Sequence, residues 1–279
     1  MEMKIVDLYQ EFGLDKPEGA VGRLTCWLQT PSREINPKRQ HPAVLVLPGG
    51  AYSMTSEREG APIAMAFCAR GYSAFVLEYS CTPHTFPTAL REAVLAMNYI
   101  RRHAESFFVH PNRITAVGFS AGGHLCGTLA TMYDCPEVSD LARGEQARPD
   151  AVGLCYPVVV SWGKAHEGSF RNLSGGEKTL AERLSLDRLA RRDMPPVYLW
   201  HTQEDAVVPV SNSLLMALRL DELGVPFAMN IYHRGPHGLS LSNELVYPAN
   251  SIPPHTKSAE HWVDSCVEFF AEQGIVIEG

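Results

Sequence analysis

Residues Ala43–Leu47 read Ala-Val-Leu-Val-Leu, an unbroken apolar run stopped at once by Pro48-Gly49-Gly50. A run this short, apolar on both faces and ended by turn residues predicts a central strand buried on both sides. Ala74–Glu78, Arg113–Val117, Val152–Tyr156 and Val197–His201 repeat the theme. Arg23–Gln29 alternates with period two and predicts an early, half-exposed strand, while Phe227–Tyr232 predicts the last one. Between them lie stretches with helical spacing. From Phe86 to about Phe108, Leu90, Ala93, Val94, Met97 and Ile100 form one apolar stripe, with Pro87 near the helix start. Ala121 to about Met132, Ser211–Leu223 (closed by Gly224) and Ser258–Glu272 predict further helices.

Strands alternating with helices predict an α/β fold: one mostly parallel sheet of about eight strands with helices on both faces. No repeat, low-complexity segment or Gly/Ser linker divides residues 1–279, so a single domain is expected. The alternation lapses only at about 157–195, which holds Trp162, His166, Phe170, Arg171 and the flexible Ser174-Gly175-Gly176. A long irregular segment between two sheet strands predicts a lid-like insertion.

Composition adds limits. The chain is 45% hydrophobic and 20% charged, an ordinary globular balance. Its formal net charge is −7 and no basic block appears, which argues against nucleic acid as a partner. Arg101-Arg102 and Arg191-Arg192 are isolated pairs, expected on solvated helix faces. The seven cysteines are scattered without a C-x-x-C pair, and Cys26, Cys126 and Cys155 fall in runs that predict burial. That usage suits a reducing compartment, and the charged start Met1-Glu2-Met3-Lys4-Ile5-Val6-Asp7 lacks the apolar stretch of a signal peptide. No run approaches the roughly 18 apolar residues of a membrane span. A cytoplasmic protein without a membrane partner is the expectation.

Candidate chemistry centres on Gly118-Phe119-Ser120-Ala121-Gly122, a G-x-S-x-G sequence between a predicted strand and a predicted helix. In that setting the serine occupies a sharp turn, and the flanking glycines let backbone pack where a Cβ would clash. A serine nucleophile needs a base, a carboxylate to orient the base, and donors for the oxyanion. The Ala121 N–H, at a helix N-terminus, is one expected donor. The Gly49-Gly50-Ala51 turn behind the Ala43–Leu47 strand is the expected source of others. The carboxylate should follow a later strand. Behind Val197–His201 come both Glu204 and Asp205, and the position of Asp205 before Val207-Val208-Pro209 favours it, with Glu204 as a solvated neighbour.

The base should follow the acid. His233 reads as still within the last strand, and His261 falls on the closing helix. His255 lies in a Pro-rich loop that sequence alone does not exclude. His237, in Gly235-Pro236-His237-Gly238 just past the last strand, is the favoured candidate. Gly235-Pro236 also prevents His233 and His237 from sharing one helical face as a metal-binding pair. His124 and His201 are expected to be structural, one packed beneath the site and the other supporting the acid turn.

With these pieces in order the chain resembles the α/β-hydrolase esterases, in particular the acetyl-esterase and xylan-esterase-like group related to the hormone-sensitive lipase family. The resemblance rests on Pro48-Gly49-Gly50-Ala51-Tyr52, Glu59-Gly60-Ala61-Pro62-Ile63-Ala64, Gly71-Tyr72 with Leu77-Glu78-Tyr79, the Ser120 motif through Leu125, the Asp205 turn and Gly235-Pro236-His237-Gly238. It implies a triad of Ser120, Asp205 and His237 and an oxyanion hole from the N–H groups of Gly50, Ala51 and Ala121. Related lipases often start the oxyanion turn with His and carry three glycines, where this chain has Pro48 and Ala51. Related dienelactone hydrolases use cysteine as nucleophile, and Ser120 points away from them.

The resemblance further implies hydrolysis of short acyl esters, acetyl above all, through an acyl-serine and without metal or cofactor. No extended apolar lid is evident, which argues against long-chain lipids. The expected partner is a small-molecule ester, and a homo-oligomer is left open. If the alcohol is a sugar, Tyr52, Trp162 or Phe170 would stack on it. Two other readings stay open: amide, peptide or formamide hydrolysis with the same triad, and a non-catalytic ligand-binding relative.

Overall fold

The computed structural model describes residues 1–141, 147–248 and 250–277. Among them the strands are β1 (Glu2–Asp7), β2 (Arg23–Leu28), β3 (His41–Leu47), β4 (Ser73–Glu78), β5 (Val109–Phe119), β6 (Val152–Cys155), β7 (Val197–Thr202) and β8 (Phe227–Tyr232). The helices are α1 (Leu8–Phe12), α2 (Ala61–Cys68), α3 (Thr88–Arg102), α4 (Ala121–Met132), α5 (Glu167–Ser174), α6 (Lys178–Arg183), α7 (Leu186–Leu189), α8 (Ser211–Leu223) and α9 (Trp262–Glu272).

The strands form one eight-stranded sheet in the order β1-β2-β4-β3-β5-β6-β7-β8. β1 pairs antiparallel with β2 and β2 antiparallel with β4; the remaining pairs are parallel. The sheet and its helices match the expected α/β architecture. β1 was not anticipated, because its charged residues alternate with Met3 and Ile5 on an exposed edge and bury only Val6.

β3 shows why its sequence is apolar from Pro42 to Leu47. Ala43, Leu45 and Leu47 enter the core that also holds residues of α3, α4 and α8, while Val44 and Val46 enter the core shared with α2 and α9. Both faces of the strand are therefore buried, and its one polar residue, His41 at the start, is bonded to the Gly71 carbonyl. Cys26, Cys126 and Cys155 are buried as expected, and all seven cysteines are free thiols.

Two expectations need correction. Arg101 is not solvated: its side chain is 11% exposed, its guanidinium donates to the carbonyls of Pro111 and Arg148, and Asp150 lies 3.6 Å away. Arg191 lies beyond α7 rather than on a helix, and it clamps Asp134 and Asp193. At both places a carboxylate distant in sequence captures the arginine. The 157–195 segment contains α5, α6 and α7, and its Leu186 packs against Gly127 of α4. No helix among the described residues is long and apolar enough to cross a membrane.

Candidate active site

β5 ends at Phe119 and α4 starts at Ala121, which leaves Ser120 alone in the turn between them. Its backbone sits at φ 53°, ψ −116°, a region costly for a residue with a side chain. The neighbours make this possible by lacking side chains. A Cβ on Gly118 would lie 2.1 Å from the Gly122 carbonyl oxygen, and one on Gly122 would lie 2.1 Å from that of Leu47. The Ser120 N–H donates to the Cys155 carbonyl and its own carbonyl accepts from Val158, so β6 and the segment after it hold the turn.

The loop after β8 brings His237 to this serine. His237 Nε2 lies 2.8 Å from Ser120 Oγ, and its Nδ1 lies 2.6 Å from Asp205 Oδ2. Asp205 follows β7 and its side chain is fully buried. Its other oxygen, Oδ1, accepts from the N–H groups of Val207 and Val208, each at 2.9 Å. Burial alone would raise the Asp205 pKa. Hydrogen bonds from His201 and His237 outweigh it and hold the carboxyl well below the usual carboxylate range.

His201 buttresses this acid. Its Nε2 is 2.8 Å from the Val208 carbonyl, which can only accept, so the proton sits on Nε2 and is shared with Asp205 Oδ2 at 3.2 Å. Nδ1 then accepts from Ser213. Glu204 points outward, paired with Arg234 and accepting from the Gly235 N–H. His233 lies just past β8, not within it, beside Gln203; His255 and His261 are exposed and away from the serine.

Behind β3 the chain turns through positive φ at Gly50, Ala51 and Tyr52. The N–H groups of Gly50, Ala51 and Ala121 donate to no backbone acceptor among the described residues, and Gly50 and Ala51 line one cavity with Ser120 and His237. Gly49 lies so close to the serine that a Cβ there would be 3.0 Å from Ser120 Cβ. Its N–H donates to Glu59 Oε2 at 2.8 Å.

The fold has known counterparts. The acetyl ester-xyloside bifunctional hydrolase from Caldicellulosiruptor lactoaceticus superposes with a TM-score of 0.81 at 32% identity, covering 98% of this chain and 97% of that one. The chain belongs to the α/β-hydrolase family of esterases. The family described as BD-FAE matches residues 31–162 of this α/β-hydrolase. Endo-1,4-beta-xylanase B of Butyrivibrio fibrisolvens is 36% identical over 249 residues, covering 85% of this chain and 38% of that protein. Acetylxylan esterase of Xylanibacter ruminicola is 26% identical, covering 85% and 48% respectively. The chain thus spans less than half the length of either of these curated relatives.

The α/β-hydrolase cavity does not use the aromatic residues expected to stack on substrate. Tyr52 is buried, its hydroxyl 2.8 Å from His124 Nδ1, while His124 Nε2 bonds the Leu184 carbonyl. Phe170 is buried against Val158 and Val208 and meets His124 edge-on. Trp162 is exposed, but its indole N–H is held by Asp187, away from the cavity lining. The apolar bodies of Tyr52 and Phe170 serve packing instead. Sequence reasoning missed Glu59 and Arg58, which line the cavity with Ser53, Ser56 and His166. The signal for Glu59 was within reach: a charged residue next to Gly60-Ala61-Pro62, inside one of the family-like stretches.

Proposed function

We propose that this α/β-hydrolase is a serine esterase that removes short acyl groups, acetyl above all, from carbohydrate esters. The observation that carries the mechanism is His237 bridging Asp205 and Ser120 at 2.6 and 2.8 Å. With Nδ1–H donating to Asp205, the Nε2 lone pair faces Ser120 Oγ. His237 takes the hydroxyl proton as Oγ attacks the ester carbonyl, and Asp205 stabilises the imidazolium. The N–H groups of Gly50, Ala51 and Ala121 receive the oxyanion; losing one such donor in comparable sites costs roughly 3 kcal/mol. His237 returns the proton to the departing alcohol. It then activates water, whose oxygen attacks the acyl-serine to release the acid and restore Ser120.

The acyl and alcohol preferences are supported by two similar proteins, whose names specify acetylxylan esterase and acetyl ester-xyloside hydrolase activity. The partner is a small-molecule ester. The seven free thiols support a reducing, cytoplasmic setting. Fluorophosphonate labelling with Ser120→Ala as control, followed by turnover of acetyl, butyryl and octanoyl nitrophenyl esters, tests the reading. Labelling confined to Ser120 and fastest turnover of the acetyl ester are expected. Fastest turnover of the octanoyl ester overturns the acyl assignment.

A further inference from the structure

We propose that His166 is a positioning residue that donates a hydrogen bond from Nε2 to a hydroxyl or ring oxygen on the alcohol half of the ester. This rests on the esterase reading and assigns the part of the cavity that reading leaves unexplained. The cavity over Ser120 and His237 measures about 470 Å³. The carbonyl is fixed against the serine, and an acetyl methyl fills only a small part of such a space. Most of the cavity therefore faces the alcohol. Its lining combines the apolar Met54 and Val207 with the polar side chains of Ser53, Ser56, Arg58 and His166. Those polar groups give a hydroxylated alcohol hydrogen-bond partners, in the way a few placed polar groups fix a ligand's orientation in a largely apolar pocket.

The hydrogen-bond pattern around His166 fixes which atom is offered. His166 caps α5, and the Ser169 N–H donates to its Nδ1 at 3.3 Å, with Ser169 Oγ also 2.8 Å away. A backbone N–H can only donate, so Nδ1 is the acceptor and the ring proton resides on Nε2. Nε2 makes no hydrogen bond to any described residue and is not among the sealed, unpartnered polar atoms. Burial, together with the nearby His237, pushes the His166 pKa down, so the neutral Nε2–H tautomer is the working form at neutral pH. The cap also sets the ring's orientation before substrate arrives, which reduces the ordering cost of the contact.

The test separates cap from contact. In His166→Asn the side-chain oxygen still caps the Ser169 N–H, but the shorter amide ends short of the position held by Nε2. Asn and Phe variants are compared with wild type on acetylated xylo-oligosaccharide and on 4-nitrophenyl acetate, whose alcohol half carries no sugar hydroxyl. We expect His166→Asn to lower kcat/KM on the oligosaccharide about fivefold to tenfold, mainly through KM, as loss of one neutral hydrogen bond predicts. On 4-nitrophenyl acetate, which offers no sugar hydroxyl to lose, the fall should be at least about threefold smaller than on the oligosaccharide. His166→Phe should add a loss of thermal stability from the missing cap. An equal fall on both substrates, or no fall on the oligosaccharide, overturns the assignment. Hydrolysis of the nitrophenyl ester without any of the oligosaccharide also overturns it while leaving the esterase reading standing. A wild-type protein that neither labels with fluorophosphonate nor hydrolyses either ester removes both.

Discussion

The Tyr156 hydroxyl donates to Glu59 Oε1 at 2.6 Å across 97 residues of chain. Glu59 Oε2 holds the Gly49 N–H, and the Tyr156 hydroxyl oxygen accepts from the Ser240 N–H at 3.0 Å. The Tyr156 ring also meets His237 edge-on at 5.1 Å. One buried carboxyl thus joins the turn that carries Gly50 and Ala51 to the loop that carries His237. Burial pushes that carboxyl's pKa up.

Removing Glu59 should therefore disturb the position of both loops without touching substrate directly. Glu59→Ala leaves the Gly49 N–H and the Tyr156 hydroxyl without their partner, at a cost of about 1–3 kcal/mol for each unsatisfied group. We expect kcat to fall about 10- to 100-fold with KM little changed, less than the roughly 10²–10³ lost with an oxyanion donor. Glu59→Gln keeps one acceptor, enough for the Gly49 N–H but not also for the Tyr156 hydroxyl proton, and should recover only part of the rate. Steady-state kinetics and thermal melts on both variants check this.

Asp205→Asn should lower kcat by roughly 10⁴, as in comparable triads where the base is left in the wrong tautomer. It should also change the acid response. The folded carboxyl titrates below its unfolded value, so its stabilisation is present above about pH 4 and is lost as pH falls through the folded pKa. Urea unfolding at pH 7 and pH 3 should show a smaller acid loss in the variant than in wild type.

His124 adds to the same acid response, at higher pH. Burial pushes its pKa down to about 4, and the Leu184 carbonyl offsets this only in part. The folded state holds the ring neutral, so stability is full above about pH 6.5 and falls progressively towards pH 4. The accumulated loss is on the order of 2–3 kcal/mol. His124→Asn should be less stable than wild type at pH 7 but decline less between pH 7 and pH 4, as read by denaturant midpoints.

The nucleophile turn should tolerate no side chain at its flanks. Gly122→Ala would place a methyl 2.1 Å from the Leu47 carbonyl oxygen and 2.3 Å from that of Pro48. Both neighbours are backbone and cannot rotate away. We expect either aggregation or destabilisation of roughly 3 kcal/mol or more, with activity lost. Gly127→Ala meets only the flexible end of Leu186, so its cost should be smaller, within about 1–3 kcal/mol. Comparing the two melts distinguishes backbone from side-chain crowding.

These comparisons mark what the sequence could reveal. Strands β3, β5 and β7 were legible because each carries a mostly apolar buried run and ends at a turn that carries a functional residue. Ser120, Asp205 and His237 were legible because their roles demand local surroundings: flanking glycines, an apolar run after the acid, and a permissive loop around the base. Glu59 and Tyr156 were not, because their partnership depends on where two distant segments meet. Tyr52 and Phe170 misled for the opposite reason. An aromatic residue near a motif has the same spelling whether it faces a ligand or the core, and here both face the core.

Ser120 and its base are separated by 117 residues of chain. During synthesis the nucleophile turn leaves the ribosome long before the histidine that must deprotonate it. A nascent or prematurely terminated chain that stops short of residue 237 contains the serine but no partner at Nε2 distance, and so has no means of activating it. The wide spacing works as a built-in delay: reactivity arrives only with the last strand and the loop behind it.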